Sequence, residues 1–271
     1  MTRIFLLILA LSLPLLAHPQ QTKDRSIHSD QFTNTRPQPK KRTGPLPKKP
    51  RKYRLASEPL AKPIEISSPS TLKAGVTLWK VIRTGDGTRQ EIARRVEADT
   101  QFHEGELLRL SIESPRSGYL YVIDRDWFTD GSSGETKLIF PLHGEDNRLE
   151  AGKLIDIPAQ HDQPFRANPN PGQAGEMLTI IITSSPLSLP LSNKELPVAT
   201  AQLEEWTRMW SGMTERFEMI NGVGEVRTVE EQQATGSRQL TRDDPPPQTI
   251  YLLTPRSSDG LLFNLLLSYV R

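Results

Sequence analysis

Three closely spaced aspartates offer the first candidate chemistry. Asp124, Asp126 and Asp130 lead into Asp130-Gly131-Ser132-Ser133-Gly134-Glu135, an acidic, glycine-containing stretch. Hard carboxylate oxygens in a flexible loop suit Ca2+. The spacing is not the Asp-x-Asp-x-Asp-Gly pattern of a helix-loop-helix site, and Asp-Gly is a common turn dipeptide. A solvated acidic loop is therefore the expectation, with calcium at Asp124, Asp126 and Asp130 as the alternative. His103, His143 and His161 are too far apart in sequence for a metal signature, and each reads as an exposed loop residue. The chain shows no Gly-x-Ser-x-Gly elbow, His-Glu-x-x-His pair, phosphate loop or dinucleotide fingerprint. With no cysteine, thiol catalysis, disulfides and cysteine zinc sites are excluded. No catalytic residue and no cofactor are expected.

A second group could do electrostatic work. Arg36, Lys40, Lys41, Arg42, Lys48, Lys49, Arg51, Lys52 and Arg54 are nine cations with no acid among them. Residues 1–74 are net +10 and residues 75–271 net −8, a split hidden in the overall +2. In a cytoplasmic protein such a run reads as a nucleic-acid tail. The N-terminus argues otherwise. Arg3, the apolar stretch Ile4 to Leu16 and the small Ala17 form a secretory signal, cut after Ala17 or as late as about residue 21. That stretch is shorter than the roughly 20 residues of a membrane span, so none is expected after cleavage. The expected location is periplasmic or extracellular, with no nucleic-acid partner. The natural partners of the cations are then lipid headgroups, anionic surface polymers, an envelope protein or the acidic domain that follows in the chain. A solvated spacer held open by self-repulsion is the competing reading.

The elements that position these groups are mainly strands. Residues 18–74, dense in proline and cations and without apolar periodicity, read as a disordered basic spacer. From residue 75 to residue 271, eight short apolar runs separated by turn signals predict an antiparallel β-sandwich, Ig-like or related. Leu108, Leu110 and Ile112 alternate with Arg109, Ser111 and Glu113, and Ser114-Pro115-Arg116-Ser117-Gly118 suggests a hairpin into Tyr119 to Asp124. One helix interrupts the strands, over about 198–217. Leu203, Trp206, Trp210 and Met213 form its apolar stripe, read as a lid on one sheet. A partner-binding face through Trp206 and Trp210 is the alternative. A long loop is expected over about 221–247.

Several runs also look familiar in combination: Gly105-Glu106-Leu107-Leu108-Arg109-Leu110-Ser111-Ile112-Glu113-Ser114, Gly118-Tyr119-Leu120-Tyr121-Val122-Ile123-Asp124, Leu138-Ile139-Phe140-Pro141, Asp146-Asn147-Arg148-Leu149-Glu150-Ala151-Gly152 and Gly175-Glu176-Met177-Leu178-Thr179-Ile180. In order and spacing over about residues 75–190 they resemble the bacterial family catalogued as domain of unknown function 4384. The resemblance implies an extracytoplasmic β-sandwich accessory module and supplies no catalytic residues. The expected function is a non-enzymatic envelope module presenting a binding or scaffolding surface, tethered by the basic spacer. Its rivals are an envelope enzyme of unrecognised type, with the acidic loop as its site, and a regulatory subunit docking through the Trp206/Trp210 helix.

Overall fold

The structure is a computed structural model, and it describes residues 24–39, 52–56, 71–84 and 90–270. The expected signal segment 1–17 and the cations Lys40, Lys41, Arg42, Lys48, Lys49 and Arg51 lie outside the described residues. In chain order the described elements begin with α1 (Asp24–Thr33), β1 (Tyr53–Leu55), β2 (Leu72–Thr84), β3 (Gln90–Val96), β4 (Gln101–Phe102) and β5 (Leu107–Glu113). Next come β6 (Gly118–Phe128), β7 (Ser133–Phe140), β8 (Arg148–Leu149), β9 (Ile155–Ile157), β10 (Phe165–Arg166) and β11 (Gln173–Thr183). The chain continues with β12 (Leu196–Pro197), α2 (Thr200–Trp210), β13 (Gly212–Met219), α3 (Val229–Gln233), β14 (Thr249–Pro255) and β15 (Gly260–Tyr269).

Two sheets face each other. The first runs β1-β13-β14-β2-β5-β10, with β3 on β2 and β9 on β5; the second runs β12-β7-β6-β11-β15-β4, with β8 on β6. Pairing is antiparallel throughout except where β4 joins β15 in parallel. Leu78, Leu110 and Ile112 from the first sheet meet Leu120, Val122, Ile180 and Phe263 from the second in one buried core. The alternation in β5 is the reason, since period-two patterning sends every second side chain to the same face. This is the expected sandwich, and all eight predicted strands are present.

Four expectations change. Leu107–Glu113 and the following strand do not form a hairpin: β5 lies in the first sheet and β6 in the second, so residues 114–117 cross between sheets. The hairpin is β6–β7 instead, turning at Asp130-Gly131, where Gly131 has φ +84° and lacks the Cβ penalty of that region. The helix ends at Trp210 rather than near residue 217. From Gly212 onward the chain alternates at period two and pairs with β14, which buries Phe217 and Met219. Met213, placed on the helix by its spacing, is a half-exposed strand residue. The 221–247 stretch is an ordered strap as well as a loop. Its α3 starts with a capping box, in which Thr228 and Glu231 satisfy each other's backbone N–H groups.

The largest change is at the N-terminus. The 18–74 segment contains α1, which packs on the outside of the first sheet through Phe32, and β1, which is that sheet's edge strand. Phe32 and Tyr53 are fully buried there with Phe217, Met219, Ile250 and Leu252. The Tyr53 hydroxyl donates to Pro247 O. β1 adds to the free edge of β13, satisfying backbone groups that would otherwise stand open. Two aromatic anchors and one strand edge therefore overcome a composition that alone favours disorder.

Candidate functional site

The polar face of β5 is covered. Arg109, Ser111 and Glu113 are all buried, Arg109 against the 158–162 turn, Ser111 beside Asp156 and Arg227, and Glu113 beneath Arg36. Burying charge is costly without a partner, and here each has one. Arg36 reaches Glu113 at 2.5 Å and donates from its remaining N–H groups to the carbonyls of Asp244 and Pro245. Arg227 pairs with Asp156 at 2.7 Å, and Asp156 accepts from Ser111 Oγ, which in turn accepts from Trp79 Nε1. Arg95 pairs with Glu231. The Arg95 and Arg227 guanidiniums lie 5.2 and 5.5 Å from the Trp79 ring centroid, a cation–π arrangement that suits Arg. Arg109 donates to the carbonyls of Pro158 and Asp162. This layer is closed to solvent and fastens the strap to the sheet.

Beside it opens a cleft of about 650 Å³, between the turn after β7, the start of β9 and the turn after it. His143, Asp146, Lys153, His161, Asp162 and Thr235 are among its walls. Its ions are largely matched: Lys153 Nζ lies 2.6 Å from Asp146, and Asp156 at the floor is held by Arg227. Glu145 accepts from Leu142 N. Thr235 Oγ1 donates to Gln160 Oε1 across the wall. The arrangement offers hydrogen-bond donors and acceptors to a polar ligand. Two of the three domain histidines meet here, which their 18-residue spacing did not reveal.

The predicted acidic loop separates. Asp130 sits at the exposed tip of the β6–β7 hairpin, accepting from Ser132 N at 2.9 Å, and hydrogen bonding to Ser132 holds its carboxyl below the usual range. Asp126 accepts from Gln173 Nε2 at 2.8 Å and stands opposite Glu176 in the β6–β11 register. Glu176 accepts from the Tyr269 hydroxyl at 2.5 Å. Burial, with Glu176 and Asp126 nearby, pushes Asp124 up to about 7, and burial raises Glu176 as well. Among the described residues no group of three such side chains could hold a metal ion. The calcium set is thus not assembled, because β6 runs extended from Asp124 to Phe128 and Asp130 lies beyond its end, in the turn.

The expected partner-binding residues divide in the same way. Arg36 is buried against Glu113, whereas Arg54 pairs with Glu97 at 2.7 Å at the surface. Lys52 is exposed beside β1. Trp206 and Trp210 are buried and stacked at 6.3 Å, packing on Tyr121, Ile123, Ile181 and Leu262. They form the lid on the second sheet and offer no docking face. No described helix is long and apolar enough to cross a membrane. Comparison with protein-family models, curated proteins and solved structures finds no match for this chain.

Proposed function

We propose that this chain is an exported, non-enzymatic β-sandwich accessory module of the bacterial cell envelope. In this reading it holds an anionic surface, a polymer or lipid headgroups, through its basic run. The resemblance to domain of unknown function 4384 supports the accessory role, and the signal-like start supports export. One observation carries the binding surface: the two ends of the nine-cation run are fixed to the domain, Arg36 by Glu113 and Arg54 by Glu97. Pro39 and Lys52, the described residues on either side of Lys40 to Arg51, both belong to segments that pack on the sandwich. A concentrated basic segment in an otherwise acidic chain attracts anionic surfaces, while the acidic remainder repels them. Sedimentation with anionic lipid vesicles across a salt series tests this, comparing the chain with a variant in which Lys40, Lys41, Arg42, Lys48, Lys49 and Arg51 are Gln.

A further inference from the structure

Glu218 lies fully buried where the N-terminal strand meets the first sheet. In register it stands between Arg54 of β1 and Thr249 of β14. Its carboxyl accepts from Thr249 Oγ1 at 3.1 Å, from Ala98 N at 3.3 Å and from Gln248 Nε2 at 3.4 Å. The charged groups around it are Arg54 from β1, Arg216 from β13, and Glu97 and Asp99 from the turn before β4; Tyr251 faces it from β14. Arg54 is drawn to Glu97 at 2.7 Å, and Arg216 to Asp99 at 3.4 Å, with 3.7 Å to Glu218.

The charge balance of this cluster turns on one proton. With Glu218 neutral, two arginines face two carboxylates, and the buried group is hydrogen-bonded without a net charge. With Glu218 ionised, the cluster gains an excess negative charge at its driest point, where charge is most costly. Releasing β1 and the 97–99 turn would let water reach the carboxylate. We propose that Glu218 is a proton-controlled latch that fastens the N-terminal strand β1 to the sheet when protonated and loosens it when ionised. β1 is one of the two anchors flanking the basic run, so the latch would set whether the chain after that run is fastened to the sheet.

Burial pushes Glu218 from its ordinary 4.5 up to about 7. A solvated carboxyl in the loosened form keeps the ordinary value. The loosened population therefore climbs between those two values and levels off above the upper one.

Hydrogen exchange of the full chain tests the latch, read at Ala56 N, which donates to Arg216 O, and Ile220 N, which donates to Lys52 O. After correction for intrinsic exchange, opening at both amides should rise about tenfold per pH unit from about pH 5 to about pH 7, then flatten. Ser211 N, bonded to Thr207 O at the end of α2, serves as a control and should show no such rise. Glu218→Gln should abolish the rise at Ala56 and Ile220. An equal rise in Glu218→Gln, or none in the wild type, overturns the proposal. If Glu218→Gln does not fold, carbon-13 titration of the wild-type Glu218 carboxyl decides. A midpoint near the pH where strand opening levels off supports the latch, and a midpoint at the ordinary glutamate value overturns it.

Discussion

Arg36 and Glu113 are 77 residues apart in sequence and 2.5 Å apart in space, both almost fully buried. The pair joins the N-terminal segment to the polar face of β5, at a place where the carbonyls of Asp244 and Pro245 complete the arginine's hydrogen bonds. It makes the N-terminal segment part of the folded unit.

Arg36→Ala should therefore destabilise the protein by about 3–5 kcal/mol, the cost of leaving one buried charge without its partner. Urea unfolding of the full chain reads this. A chain beginning at Gly75 should lose at least as much, since Phe32 and Tyr53 go with the arginine. A loss of under about 0.5 kcal/mol, typical of exposed positions, would mean that the pair is not buried.

Trp206→Ala or Trp210→Ala should cost about 3–5 kcal/mol, as for other large aromatic truncations in a core. Thermal unfolding is the measurement. An unchanged melting temperature would restore a solvent-facing role for this helix.

Asp130→Ala should leave the melting temperature unchanged, and so should added calcium. Ile181→Ala, which opens a hole beneath Trp206 and Trp210, should cost about 2–5 kcal/mol. A calcium-dependent rise that vanishes with Asp130→Ala would reinstate the metal site.

Asp124 makes the acid side of the pH profile unusual. Its folded value of about 7 exceeds its ordinary 3.8, so the folded state binds the extra proton between them. Stability conferred by that proton is present at low pH, falls as pH rises through this window, and is gone above about 7. Asp124→Asn should make this part of the curve shallower than in the wild type, the remaining slope coming from Glu218 and Glu176, measured as unfolding free energy from pH 4 to pH 8 by denaturant titration, with the range set by those two values. A wild-type profile already flat over that range would contradict the assignment.

How much of this was legible follows from what each residue contributes locally. Leu108, Leu110 and Ile112 carry a period-two signal that any strand search reads, and the sandwich follows from eight such runs. Met213 misled because its spacing from Trp210 continues the helical stripe, whereas Gly212 marks the break and Phe217 and Met219 supply the alternation. The N-terminal segment was illegible for another reason. Phe32, Arg36 and Tyr53 are single anchors, each rewarded only by a distant partner, so no local period announces them. Two isolated aromatics in a polar, proline-rich stretch were the one available hint. The buried charge layer was equally hidden, since Arg95, Asp156, Arg227 and Glu231 come from separate elements that meet only in the folded chain.

Binding of the chain to anionic lipid vesicles over a salt series tests the central claim most directly. Between about 0.1 M and about 1 M salt the Debye length falls from about 10 Å to about 3 Å, which removes all but the closest charge contacts. Each cation near an anionic surface adds about 1 kcal/mol at most, so several of the six between Lys40 and Arg51 suffice for measurable binding. The account predicts strong sedimentation at low salt, a steep loss as salt rises, and no binding when those six cations are Gln, with the fold intact by thermal unfolding. Binding that resists salt, or that survives in the Gln variant, would contradict it and move the binding surface to the β-sandwich itself.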